Sequence, residues 1–245
     1  MTTLVIGASG ATGRLLVRQL LDRGESVRAV VRTPQGLQGL SGAAGLSLIP
    51  CSVSEVSDAD LARHVDGCTA IASCLGHTLS LKGVYGPPRR LVADAVRRLC
   101  QAVKSRPGAD PVRFVLMNTA GHRNRDMAEP VSWAQRCVVG VVRALVPPHA
   151  DNEQAADYLR TTIGQHDRAI QWVVVRPDSL VDQDEVTAYE AHPSPLRSAI
   201  FDAGVTSRIN VAHFMAELAL GGATWARWQG RMPVLYNRTL PSGAG

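Results

Sequence analysis

Three glycines and one tyrosine carry the first chemical signals in this chain of 245 residues. The run GASGATGR sets Gly7, Gly10 and Gly13 at GxxGxxG spacing, directly after the apolar run TLVI. Without side chains the backbone can turn tightly and approach a pyrophosphate, whose charge then meets free N–H groups at a helix N-terminus. In a strand–loop–helix context this near residue 1, the pattern predicts a dinucleotide site. Farther on, DNEQAADYLRTT carries Tyr158 on the same helical side as Ala155 and Thr162. A tyrosine that gives up a proton needs a nearby cation to lower its pKa, and a lysine four residues on is the usual means. Here that residue is Thr162.

The end of the second predicted strand chooses between dinucleotides. A carboxylate there holds the two ribose hydroxyls of NAD, but this chain has Arg32, then Thr33, with Arg14 just beyond the glycine loop. A guanidinium pairs bidentately with a 2′-phosphate, and no carboxylate is present to repel one, so the expected cofactor is NADP, as NADPH. A solvated strand-end arginine is the alternative.

Other proton donors lie near the ends of predicted strands. His122 directly follows the fifth strand, where the carboxyl edge of a parallel sheet makes its crevice, and histidine titrates closest to neutrality. A solvated loop histidine in GHRNRD is the competing reading. His149 in PPHADNE reads as a helix-start residue, and His77 sits in the CLGHT loop. Neither lysine, Lys82 or Lys104, adjoins Tyr158 in sequence. In YLR, Tyr158 reads as a packed aromatic first and an acid second.

These residues need a frame, and the first half of the chain alternates strand and helix. TLVIG, SVRAVVR (26–32), LSLIPC (46–51), CTAIASCLG (68–76), VRFVLMN (112–118) and IQWVVVRP (170–177) read as strands. GRLLVRQLLDRG, SDADLARHV and PPRRLVADAVRRLCQAVKS read as helices, with Ser57 or Asp58 as a cap and two prolines opening the last. The expected fold is an α/β, doubly wound parallel sheet of Rossmann type. Residues 1–245 make one domain, in which 178–245 form a small elaboration on the substrate side. Within it, EVTAYEA and RMPVLYN read as strands and NVAHFMAELALGG as a helix. Segment 131–148 is apolar around most of its circumference, which suits core, a pocket wall or a dimer face. As a pocket wall it would favour an apolar substrate, with Arg123 and Arg125 able to take a carboxylate at the rim.

Composition narrows the classes. The net charge is +5, and 24 of the 26 basic residues are arginine, in scattered pairs without interleaved aromatics. That suits solvated helix faces and a phosphate-bearing ligand better than nucleic acid. Five cysteines without CxxC or metal-ligand spacing read as reduced thiols in a cytoplasmic protein, and no metal is expected. No signal-peptide pattern opens the chain, and CVVGVVRALV is too short to span a bilayer. The expected partner is a small molecule, the protein being a monomer or a homodimer.

Together GASGATGR, VVR, SCLG, MNTAG and WVVVRP resemble the atypical short-chain dehydrogenase/reductases, above all the NAD(P)H-binding, NmrA-like proteins and the biliverdin-IXβ and flavin reductases. The resemblance spans roughly residues 2–180. It implies that Gly7, Ser9, Gly10, Ala11, Thr12 and Gly13 contact the pyrophosphate and that Arg32 holds the 2′-phosphate. It implies that Ser52 and Val53 flank the adenine, and that Cys74, Leu75 and Gly76 lie on the nicotinamide side. Asn118, Thr119 and Ala120 would lie under the nicotinamide, with Pro177 beside it. The chain departs from the pattern where serines commonly stand, with Thr119 and Ala120, and Asn152 falls about where flavin reductases carry a histidine.

His122, Thr119 and Tyr158 are therefore the candidate catalytic residues, and three activities remain open. One is an NADPH-dependent reductase that passes hydride to a conjugated or carbonyl, mostly apolar small molecule without a Tyr-Lys dyad. A second is a non-catalytic NADP(H) redox sensor that meets a partner. A third is an isomerase or epimerase that retains its cofactor.

Overall fold

The computed structural model describes residues 1–77, 89–106, 110–127, 129 and 147–238. The chain runs β1 (Thr2–Ile6), α1 (Ala11–Leu21), β2 (Ser26–Val31), a 3₁₀ segment (Pro34–Leu40), β3 (Leu46–Pro50), α2 (Asp58–Val65) and β4 (Ala70–Ser73). Next come α3 (Leu91–Lys104), β5 (Val112–Met117), α4 (Pro147–Asp157) with a π-helical continuation (Tyr158–Ile163), and β6 (Ile170–Pro177). The remainder is β7 (Ser179–Val181), β8 (Tyr189–His192), β9 (Val205–Ser207), α5 (Arg208–Leu220), α6 (Gly222–Trp228) and β10 (Val234–Asn237).

Eight strands make one sheet in the order β3-β2-β1-β4-β5-β6-β10-β8. Every neighbouring pair is parallel except β10 and β8. This is the doubly wound parallel sheet that the strand–helix alternation predicts. The side-chain period of two sorts each central strand onto two apolar faces. Leu4, Ile6, Ile71, Phe114, Leu116, Trp172 and Val174 pack with Leu61, Val96, Leu99 and Leu159 of the helices on one side. Val5, Ala72, Val115, Val173 and Val175 pack with Leu16, Leu20, Val211, Met215 and Leu218 of α1 and α5 on the other.

The C-terminal third divides its work. β10 continues the sheet beside β6, with Val234 opposite Arg176, and α5 packs against α1 on one sheet face. Between β6 and α5, the short pair β7–β9 stands apart from the main sheet. The strand expected in EVTAYEA forms slightly later, as β8 on the sheet edge.

Register decides where the loops emerge. Ile6 lies opposite Ser73, Ser73 opposite Leu116, and Met117 opposite Val175. The loops leaving β1, β4, β5 and β6 therefore start side by side at one edge. β1 sits between β2 and β4, the point at which successive connections diverge and where open α/β sheets bind ligands. No helix among the described residues is long and apolar enough to cross a membrane. Segment 131–146, Lys82 and Cys137 lie outside the described residues.

Candidate functional site

At the β1 exit, Gly7 adopts φ 71°, and a Cβ there would stand 2.6 Å from the Cys74 carbonyl group. The Gly10 N–H donates to the Gly7 carbonyl at 3.0 Å, closing the turn. A Cβ on Gly13 would meet the Gly7 oxygen at 2.1 Å, so α1 packs against the loop only because Gly13 lacks one. Gly10 caps α1 with no side-chain hydrogen bond, and no acidic residue lies in the first turn. The helix thus turns unsatisfied N–H groups toward solvent beside exposed Ser9, Gly10 and Ala11, while Thr12 is buried. These features fit an anionic pyrophosphate.

Arg32 and Thr33 follow β2, and both are exposed, as is Arg14. Neither guanidinium has an ion-pair or hydrogen-bond partner among the described residues. The 3₁₀ segment lies against the glycine loop closely enough that a Cβ on Gly36 would come within 2.3 Å of the Ser9 Cβ. After β3, Ser52 hydrogen-bonds Ser54 at 2.7 Å, and Val53 is buried. Arg98 of α3 donates to the Val53 carbonyl and to the Asp58 carboxylate, holding this loop to the sheet edge. Two guanidinium groups unpaired among the described residues and an open helix start present donors to an anionic ligand.

The β4 exit is built from Cys74, Leu75, Gly76 and His77. The Cys74 N–H donates to the Ile6 carbonyl at 2.9 Å, which keeps this loop against the glycine turn. Burial pushes the Cys74 thiol up to about 12, so it is not a thiolate at neutral pH. His77 Nε2 stands 2.7 Å from Asp151 Oδ2. The same buried carboxylate accepts from the Val92 and Ala93 N–H groups at 2.8 and 2.9 Å. Asp151 of α4 thereby caps the start of α3, whose own Arg90 offers no side-chain bond. Local sequence could not show a cap contributed by another helix. The two prolines expected to open α3 lie outside the described residues.

At the β5 exit, Asn118 donates from Nδ2 to the Asn152 carbonyl (2.8 Å) and accepts from the Thr119 N–H (2.9 Å). The Ala120 N–H donates to the Pro177 carbonyl, joining this loop to the end of β6. Here a cleft of about 270 Å³ opens, lined by Thr119, Gly121, His149, Asp178, Ser179, Ala199 and Ile200. Thr119 Oγ1 accepts from the Gly121 N–H at 3.3 Å, leaving its own O–H to donate elsewhere. His149 lies on the first turn of α4 with its Nε2 3.7 Å from Glu153 Oε1, one helical turn on. Its ring approaches Gly121 so nearly that a Cβ there would touch Cε1 at 3.5 Å. Asp178 accepts from the Gly204 and Ser179 N–H groups at 2.9 and 3.0 Å, and burial raises its pKa.

The other sequence candidates lie elsewhere. His122 is 1% exposed, does not line the cleft, and neither ring nitrogen finds a partner among the described residues. Burial holds it down at about 3, so its ring is neutral near pH 7. Tyr158 packs beside Cys100 and Lys104, at the far end of α3 from the strand exits, and burial raises its pKa. Arg125 pairs with Asp157 at 3.6 Å and Arg123 is exposed, and neither lines the cleft. In the sequence His149 reads as a helix-start residue, and nothing local singles out Asp178 or Ser179. Their signal was position, since both regions join the edge where β5 and β6 end. Among the described residues no group of His, Cys, Asp and Glu side chains gathers to hold a metal ion.

Known proteins agree with this geometry. A family described as NAD(P)H-binding matches residues 7–220. No curated protein matches the chain. Solved structures share the fold at low identity. The oxidoreductase ylbE from Lactococcus lactis superposes with a TM-score of 0.68 at 14% identity, covering 98% of this chain and 92% of that one. ChuY, an anaerobilin reductase from Escherichia coli O157:H7, gives 0.66 at 17% identity, covering 99% and 100%. A short-chain dehydrogenase/reductase from Veillonella parvula gives 0.68 at 15%, covering 98% and 94%. The glycine turn, the sheet order and this match agree, and the chain belongs to the NAD(P)H-binding family.

Proposed function

We propose that the protein is an NADPH-dependent reductase that transfers hydride to a conjugated or carbonyl, mostly apolar small molecule. The observation that carries this reading is the cleft where β5 and β6 end, on the same sheet edge as the glycine turn. In this reading Gly7 to Gly13 hold the pyrophosphate, and Arg32, Arg14 and Thr33 hold the 2′-phosphate. Ser52 and Val53 flank the adenine. Cys74 to Gly76, Asn118 to Ala120 and Pro177 border the nicotinamide.

Reduced nicotinamide supplies the hydride when it is bound. Thr119 offers its hydroxyl proton to the substrate oxygen. His149 is the imidazole that lines the cleft, and it delivers the proton, steadied by Glu153 behind it. Neither His122 nor Tyr158 is needed for that step. That ChuY is an anaerobilin reductase is consistent with a conjugated substrate.

The test is a fluorescence titration with NADPH and NADH, repeated on Arg32→Ala, followed by NADPH consumption with a panel of enones, quinones and flavins. Micromolar NADPH binding, preferred over NADH and lost in the variant, with turnover of a panel member, supports the reading. Tight binding without turnover would instead indicate the redox sensor, and binding of neither dinucleotide ends both.

A further inference from the structure

The cleft has an uneven charge. Its lining contains one carboxylate, Asp178, and one imidazole, His149, which already faces the carboxylate of Glu153. Among the described residues no arginine or lysine lines it. The guanidinium nearest in influence to Asp178 belongs to Arg197, and it is committed to Asp202 through bonds of 3.0 and 2.7 Å at the surface.

Asp178 itself is held firmly. It is 9% exposed, and each oxygen accepts one backbone N–H, from Ser179 and from Gly204. A carboxylate has about four lone-pair positions, so roughly half its accepting capacity remains for a ligand. Gly204 can reach it only because it is glycine, since a Cβ there would stand 2.4 Å from the Tyr236 ring. The lining opposite is apolar, formed by Ala199 and by Ile200 at 39% exposure. An acceptor-rich anionic wall opposite an apolar lining favours a hydrogen-bond donor or a cation and repels an anion.

We propose that Asp178 sets the substrate class, so that the cleft takes an apolar molecule bearing an N–H, O–H or cationic nitrogen and turns away carboxylates. This rests on the reductase reading for the word substrate, but the charge preference belongs to the cleft alone. It also opposes the sequence expectation of a carboxylate held at the rim by Arg123 and Arg125.

Three planar probes of one size separate the charges: benzamidinium, benzamide and benzoate. Their affinities for NADP-saturated protein would be measured by ligand-observed NMR at low salt, for wild type and Asp178→Asn. The expected order is benzamidinium, benzamide, benzoate, with about tenfold or more between the ends. In Asp178→Asn that span should fall to within about threefold. Benzoate binding as tightly as benzamidinium in the wild type, or no binding of benzamidinium at all, overturns the proposal even if the variant does not fold. A folded Asp178→Asn that keeps the full span overturns it too. Turnover is read separately. A charge order without NADPH consumption keeps this inference and removes the reductase reading, and consumption without a charge order does the reverse.

Discussion

Arg176 Nη2 and Glu129 Oε1 stand 2.7 Å apart, and the two side chains are 0% and 1% exposed. The pair is tied in at both ends. Arg176 also donates to the Met232 carbonyl at 2.7 Å and the His122 carbonyl at 2.8 Å, while Glu129 accepts from the Asn124 N–H at 2.8 Å. One buried ion pair thus pins the loop after β5 to β6 and to the approach to β10. Removing one partner strands the other charge, so Glu129→Ala should cost about 3–5 kcal/mol. Replacing both, as Arg176→Met with Glu129→Leu, should recover much of that loss. Urea unfolding of the three proteins checks both statements.

Among the described residues Asp151 has three partners, and its side chain is 0% exposed. Asp151→Ala should lower stability by about 1–3 kcal/mol, through the loss of the α3 cap and of the bond to His77. NADPH affinity should fall with it, because the β4 loop loses its anchor. Thermal unfolding and cofactor titration measured side by side would show whether the two losses arrive together.

Tyr158→Phe should keep kcat within about threefold of wild type, since the hydroxyl lies beside Cys100 and Lys104 rather than at the cleft. His149→Ala should lower kcat by about 10²-fold or more, the size expected for a general acid, with NADPH affinity unchanged. Steady-state kinetics on one active substrate decides between them. The reverse pattern would return the acid to Tyr158.

His122 gives a pH signature. Its folded pKa, about 3, lies below the ordinary 6.5, so between those values the unfolded chain binds the additional proton. Stability from this group is complete above pH ~6.5 and is lost as pH falls toward 3, by at most about 1.4 kcal/mol per unit. Replacing His122 with Leu should flatten that part of the profile and also remove two buried nitrogens that have no partner among the described residues. Denaturant midpoints at pH 7.5 and pH 5 in both proteins measure the difference. An equal fall in the two proteins would sink the assignment.

The sheet was legible because its strands are short apolar runs between turn residues, and TLVIG or IQWVVVRP could hardly be anything else. The glycine turn was legible for a related reason, since Gly7, Gly10 and Gly13 each remove a Cβ that backbone would otherwise meet. The cleft was harder to see. His149, Asp178 and Ile200 come together only through the register that ends β5 and β6 at one edge, and no local spacing records that. Tyr158 sits on a helix where a tyrosine can serve as an acid, yet its place relative to α3 is set by where α4 begins. His122 looked accessible in a polar run, but the Arg176 bond to its carbonyl holds that loop down.

His149 and Asp151 are two residues apart on α4, and they face different tasks. One lines the cleft, while the other grips the β4 loop and the start of α3. A helix of this kind moves as a rigid rod, so the two ends of the site share degrees of freedom. A displacement large enough to admit a bulkier molecule at His149 is transmitted to His77 through its bond to Asp151. Widening the cleft by shifting α4 would therefore disturb the β4 loop as well. Widening it through Ala199 or Ile200, which lie on the opposite segment, would not.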